Sequence, residues 1–186
     1  MQRSSLVKRI ALAGAACALL MAAALPARAF DGIEIAQVKQ RAEQGDAAAQ
    51  SKLGVLYSSG VGMRMDKKEA VKWYQKAADQ GYPVGQWNLA FMYVRGEGVE
   101  ADLVKARELF TKAAETGFAN AQYDLGVMFL DGLGGKQDRE EAKKWFSRAA
   151  GQGYREAKKM LEELAEPLKV AQEKNPTTTK STPTGQ

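Results

Sequence analysis

The sequence contains no histidine, and its only cysteine is Cys17. Without histidine the chain lacks the usual general base, the commonest transition-metal ligand and the group that activates serine or cysteine nucleophiles. Cys17 lies in an N-terminal segment that we expect to be removed, which leaves no thiolate for zinc and no disulfide. We therefore expect no catalytic residue, no metal, no cofactor and no enzymatic activity.

An excess of charge of one sign is also missing from most of the chain. The sequence has 27 Lys and Arg against 22 Asp and Glu, but residues 1–29 contribute four of the basic residues and none of the acidic ones. The remainder holds 23 basic and 22 acidic residues, a net charge of +1. A nucleic-acid partner requires a strong basic field or stripe, so we expect none.

Residues 1–29 have the layout of a secretory signal peptide. Basic residues at Arg3, Lys8 and Arg9 precede an apolar run at 10–25, and Ala27 and Ala29 supply a cleavage pattern. The run is about 16 residues, shorter than the roughly 20 that a membrane-spanning helix requires. We expect cleavage after Ala29 and a periplasmic or secreted protein with no stable membrane span. A retained N-terminal anchor is the alternative.

The main positive feature of the chain is a repeat of 36 residues without gaps. The matching positions are Tyr57, Tyr93 and Phe129; Gly60, Gly96 and Gly132; Gly62, Gly98 and Gly134; Asp66, Asp102 and Asp138; and Ala70, Ala106 and Ala142. A fixed period of this length is typical of stacked repeat architectures. Such folds usually present a surface to a partner instead of a catalytic pocket.

Each unit predicts two helices. In residues 47–82 the first helix ends at Gly60, which supplies a left-handed C-terminal conformation, and the second begins at Asp66, an N-cap with Glu69 completing a capping box. The full units are 47–82, 83–118 and 119–154, with an N-terminal capping helix at 32–45 and a C-terminal one at 155–166. We predict one all-α solenoid over residues 30–166. Residues 167–186 are predicted to be disordered.

The unit resembles the Sel1-like repeat, a relative of the tetratricopeptide repeat. The resemblance rests on Ala-x-Ala-Gln-Tyr-x-Leu-Gly-x-x-Phe-x-x-Gly-x-Gly at residues 119–134 and on Asp138, Ala142, Trp145 and Gly153 after it. Ala90 and Leu109 depart from the pattern in the second unit. The resemblance implies a right-handed α-solenoid and an adaptor that assembles complexes, often in the periplasm. Cysteine-rich relatives have been linked to β-lactam binding or hydrolysis, but this chain lacks their cysteines.

The family resemblance places the first helix of each unit on the concave side. Positions of these helices that are not used for stacking form the predicted binding groove: Trp87, Asn88, Phe91, Val94, Arg95, Tyr123, Asp124, Val127, Leu130 and Asp131. Exposed apolar and aromatic side chains commonly mark an interaction site. The alternative is that Trp87 and Tyr123 pack between repeats, which periodicity cannot distinguish from a groove.

Three functions remain open at this point. The preferred one is a monomeric periplasmic scaffold that binds a protein or peptide in the groove, in envelope signalling or complex assembly. The second is a cell-wall hydrolase or β-lactam-binding enzyme. The third is a secreted factor that acts on a host.

Overall fold

The computed structural model describes residues 32–173, which form eight α-helices and no β-strand. The predicted signal peptide and the chain from residue 174 onward lie outside the described residues. The helices are α1 (Gly32–Glu43), α2 (Ala47–Ser59), α3 (Lys67–Asp79), α4 (Pro83–Arg95), α5 (Leu103–Glu115), α6 (Ala119–Asp131), α7 (Arg139–Gly151) and α8 (Arg155–Glu173). The prediction of an all-α repeat fold is confirmed.

Helices α2 to α7 form three antiparallel pairs, one in each repeat, and each of these helices has 13 residues. Helix α1 packs on the first pair and α8 on the last, so each end carries a half-repeat. Helix α8 continues to Glu173, seven residues beyond the predicted boundary. Good helix formers at 168–173, among them leucine, lysine, alanine and glutamine, allow the helix to continue past Pro167.

The first helices end at the predicted glycines, and the second helices begin at the predicted aspartates. Gly60, Gly96 and Gly132 end the first helices with φ angles of 73°, 66° and 69°. The side chains of Asp66, Asp102 and Asp138 accept backbone hydrogen bonds at the start of the second helices. These caps satisfy N–H groups that have no partner inside the helix.

The reciprocal half of the predicted capping box is replaced by other contacts. The backbone N–H of Asp66 donates to the carbonyl of Tyr57 at 2.9 Å, so it does not need the carboxylate of Glu69. Glu69 instead pairs with Lys72 one turn later. The loop between the paired helices therefore closes through its backbone.

Small residues allow the helices to approach closely. A Cβ atom built on Gly54 would lie 2.6 Å from the ring of Tyr74, and one built on Gly126 would lie 2.7 Å from the ring of Phe146. Between repeats, a Cβ on Gly98 would lie 2.3 Å from the carbonyl oxygen of Lys67. The second glycine of each Gly-x-Gly turn in repeats two and three thus makes a close backbone contact with the preceding repeat.

Candidate partner-binding face

The first helices of the repeats lie side by side, and α2 contacts α4 directly. We call the side of the stack formed by α2, α4 and α6 the first-helix face. The predicted site residues divide into two groups on it. Trp87, Phe91, Val94, Asp124 and Val127 are buried, whereas Asn88, Arg95, Tyr123, Leu130 and Asp131 are half-buried.

Trp87 is a packing residue between repeats. It is 8% exposed, and its ring meets Phe91 edge-on at 4.9 Å and also lies 5.8 Å from Phe118, the residue that immediately precedes α6 of the next repeat. Phe91 in turn meets Phe110 at 5.1 Å. The prediction that Trp87 and Phe91 form an exposed apolar patch is therefore wrong, because these rings fill the space between α4, α5 and α6.

Tyr123 is the equivalent of Trp87 in the third repeat and packs in the same way. Its ring lies 5.1 Å from Tyr154, the residue that immediately precedes α8, and 5.6 Å from Phe146. Phe118 and Tyr154 are themselves 36 residues apart. An aromatic at this position of a repeat thus contacts the aromatic that immediately precedes the next repeat or half-repeat. Tyr123 nevertheless remains half-buried and keeps contact with solvent.

Polar groups also connect neighbouring first helices. The indole Nε1 of Trp87 donates to Oδ2 of Asp124 at 2.7 Å. One repeat earlier, Nδ2 of Asn88 donates to Oγ of Ser51 at 3.4 Å. Both bonds join equivalent positions, and the donor lies on α4 in each case. The predicted site residues Asn88 and Asp124 therefore hold repeats together as well as lying near the face.

Burial sets the electrostatics of the buried polar groups. Burial raises the pKa of Asp124 to about 7, and the hydrogen bond from Trp87 opposes this rise. Burial likewise raises the pKa of Tyr74 to about 12, although its hydrogen bond with Ser58 lowers it. Tyr74 lies on α3 and Asp124 on α6, so these groups do not share a site.

A row of buried glutamines was missed by our sequence reasoning. Gln50, Gln86 and Gln122 each donate from Nε2 to a carbonyl near the end of the preceding helix, at 3.1, 3.5 and 3.2 Å. Gln80 and Gln152 donate to the first and last of them at 2.7 and 2.8 Å. The signal was present, because glutamine recurs at 50, 86 and 122 with the 36-residue period.

Residues 32–173 lack the features of a metal site and of a membrane span. No cluster of three or more His, Cys, Asp or Glu side chains in this range is arranged to hold a metal ion. No helix in the same range combines the length and the apolar character required to cross a bilayer.

Comparison with known proteins identifies the repeat. The family model for the Sel1 repeat matches residues 47–82, 83–118 and 119–154, which are the predicted repeat boundaries. The chain is similar to the crystal structure of a Sel1 repeat protein from Oxalobacter formigenes, with 38% identity and a TM-score of 0.65 over 70% of this chain and 98% of that one. The comparison with curated proteins gave no match.

Two further structures share the fold. One is c5321, a protective antigen of uropathogenic Escherichia coli, with 43% identity and a TM-score of 0.62 over 64% of this chain and 26% of the antigen. The other is cysteine-rich protein B of Helicobacter pylori, with 22% identity and a TM-score of 0.58 over 69% of this chain and 95% of that one. Sel1-repeat proteins are generally scaffolds for protein–protein interaction and typically not enzymes. The chain belongs to the Sel1 repeat family.

Proposed function

We propose that the protein is exported, is cleaved after Ala29 and acts in the periplasm as a monomeric scaffold. It binds a partner protein or peptide along the first-helix face, in envelope signalling or in the assembly of a complex. It carries out no chemistry of its own.

The observation that supports this function is a contrast between repeat positions that hold the same residue in all three repeats and positions that hold a different residue in each. Two buried alanine positions of the second helices are identical in all three repeats: Ala70, Ala106 and Ala142, and Ala77, Ala113 and Ala149. Three positions on the first-helix face differ in every repeat. They are Lys52, Asn88 and Asp124; Ser58, Val94 and Leu130; and Ser59, Arg95 and Asp131. Stacking requires the identical positions, whereas a specific partner requires a surface that varies along the stack.

The binding residues are the half-buried members of the predicted set: Asn88, Arg95, Tyr123, Leu130 and Asp131. They combine an aromatic ring, an aliphatic side chain, an amide and one charge of each sign. Side chains that are partly immobilised lose little conformational entropy on binding, which favours affinity for a given contact area. The guanidinium of Arg95, for example, lies 5.4 Å from the ring of Phe91.

The test is site-specific photo-crosslinking in cells that express the full chain. A photoreactive amino acid is placed at Asn88 or Leu130 on the first-helix face, and at Glu108 or Lys112 on exposed positions of α5 as matched controls. We expect the two face positions to give the same adduct in the periplasmic fraction, joined to a chain that begins at Phe30. The control positions should give none.

Two results would contradict the proposal. Equal yields of the adduct from both faces would show that the first-helix face is not the binding surface. Recovery of the adduct only in the cytoplasm, on a chain that still carries residues 1–29, would show that the protein is not an exported scaffold.

A further inference from the structure

Asp124 is an isolated carboxylate in the interior of the stack. It is 3% exposed, and the hydrogen bond from Nε1 of Trp87 is the one it accepts among the described residues. A carboxylate has about four sites at which it can accept hydrogen bonds. Burying an ionised carboxylate with a single neutral donor is costly, because the lost hydration is replaced only in small part.

The neighbouring elements provide little compensating charge. The buried side chains of α5 and α7 in the core around α6 are Ala106, Phe110, Ala113, Ala114, Ala142, Trp145, Phe146 and Ala149, and none of them titrates. On α4 the nearest charge along the face is Arg95, eight residues or about 12 Å from Trp87 along the helix axis. On α6 itself Asp131 lies seven residues away, and on α8 the charges of Arg155, Glu156 and Lys159 are exposed.

The equivalent position one repeat earlier has no such group. Asn88 occupies it and is neutral at every pH, and its partner Ser51 is neutral as well. The backbone of the two contacts is alike, since both join adjacent first helices at the same positions of the repeat. Of these two side-chain hydrogen bonds, only the one between Trp87 and Asp124 includes a titratable side chain.

We propose that the contact between repeats two and three is a pH-sensitive joint, in which neutral Asp124 holds α6 against α4 and ionised Asp124 loosens that contact. The ordinary pKa of the group is 3.8, and burial raises it to about 7. The folded state therefore binds a proton that the unfolded state has lost between about pH 4 and pH 7. The free energy of unfolding therefore falls as the pH rises from about 4 to about 7, and this contribution is constant above pH 7.

The experiment compares the protein with Asp124→Asn, which keeps the shape of the side chain and can still accept from Trp87. The equilibrium constant of unfolding is measured by denaturant titration from pH 4.5 to 8.5. We expect the stability of the variant relative to the parent protein to be lowest near pH 4.5 and to grow by at least about tenfold by pH 8.5. Glu108→Gln makes the same charge change at an exposed position of α5, and its difference from the parent protein should not vary with pH.

A second measurement does not depend on a variant. The side-chain carboxyl resonance of Asp124 is followed by NMR across the same range, together with the indole N–H resonance of Trp87. We expect both to change with one inflection near pH 7. An inflection of the carboxyl resonance near pH 4, or a constant offset between the parent and Asp124→Asn at all pH values, would overturn the proposal, since Asp124 would then be a permanent hydrogen-bond acceptor.

Discussion

The two contacts between consecutive repeats use the same backbone and different chemistry. Between repeats one and two, Asn88 bonds to Ser51, and Lys67 forms an ion pair with Glu97 at 2.8 Å. Between repeats two and three, the corresponding positions hold the Trp87–Asp124 bond and the two leucines Leu103 and Leu133, which pack on the core. At these positions the first contact is more polar than the second.

The buried residues follow the same division. One continuous cluster extends from Trp87 to Leu164 and joins repeats two and three to α8. Two smaller clusters lie toward the N-terminus. One surrounds Leu53, and the other surrounds Tyr74 and joins repeat one to Leu89 and Met92 of α4. The identical residues of the repeats thus fix the geometry of stacking, whereas the residues that differ determine how strongly each repeat adheres to the next. The C-terminal half should be the more stable part of the stack.

The largest expected effect comes from removing the aromatic residue of the second contact. Trp87→Ala should destabilise the protein by about 3–5 kcal/mol, because it opens a cavity among Phe91 and Phe118 and leaves Asp124 without its donor. Ser51→Ala makes the matched change in the first contact and should cost only about 1 kcal/mol. Chemical denaturation of both variants measures the difference.

This experiment also tests the original interpretation of Trp87. A variant that loses its partner but keeps the stability of the parent protein would place the indole in a binding groove after all. A loss of similar size in Trp87→Ala and Ser51→Ala would instead show that the two contacts are equally strong, contrary to the comparison above.

A smaller effect is expected from substituting alanine for the glycines at the close contacts between neighbouring repeats or half-repeats. Gly62 and Gly134 have φ angles of 71° and 68°, so alanine is strained by about 1–2 kcal/mol at either position. The Cβ of Gly134→Ala would also lie 2.1 Å from the carbonyl oxygen of Leu103, whereas that of Gly62→Ala would meet only the terminal carbon of Ile35. The side chain of Ile35 can move away from a new methyl group, whereas the backbone of Leu103 cannot move without its helix. We therefore expect Gly134→Ala to lower the free energy of unfolding by about 1 kcal/mol or more beyond the loss caused by Gly62→Ala.

Thermal unfolding monitored by circular dichroism compares the two glycine variants under the same conditions. Equal losses would mean that the strain of the left-handed backbone accounts for both, and that the close approach of Gly134 to Leu103 contributes nothing to the stack. A variant at Gly98, which lies against the carbonyl of Lys67, gives an independent value for the first contact.

The fold could be predicted because its determinants are local and repeated. Asp66 and Gly60 mark a helix start and a helix end by their own chemistry, and their recurrence at 36 residues removes the ambiguity of a single occurrence. The Sel1 repeat boundaries follow from the same period. No contact with a distant residue was needed to find them.

The candidate site could not be predicted with the same accuracy, because helical periodicity does not say which neighbour covers a side chain. Trp87 and Asn88 are adjacent in sequence, yet the first is buried between repeats and the second is half-buried. Their burial depends on the crossing of α4 with α6 and on Phe118, which lies 31 residues from Trp87. The one available clue was that Phe118 and Tyr154 recur beside Trp87 and Tyr123 at constant spacing.

The smallest expected effect concerns the row of buried glutamines, in which the second repeat is incomplete. Oε1 of Gln50 and of Gln122 accepts from Gln80 and from Gln152, respectively, but the equivalent position in repeat two is Thr116. Among the described residues no donor reaches Oε1 of Gln86, although the atom is buried. Thr116→Gln should supply the missing bond and stabilise the protein by about 1 kcal/mol.

The added side chain has room, since Thr116 is exposed, and the change forfeits only the bond from Oγ1 of Thr116 to the carbonyl of Ala113. Gln152→Thr is the reverse change in repeat three and should destabilise by at least this amount, because Gln152 also donates to the carbonyl of Gly117 at 2.9 Å. The direction of each change in the free energy of unfolding is more informative than its size. An increase for Thr116→Gln together with a decrease for Gln152→Thr would show that the glutamine pair provides the stability, and not the helix end in which it lies. A loss in both would show instead that threonine at 116 fits its own helix end better than glutamine does, and that the unpaired Oε1 of Gln86 costs the second repeat little.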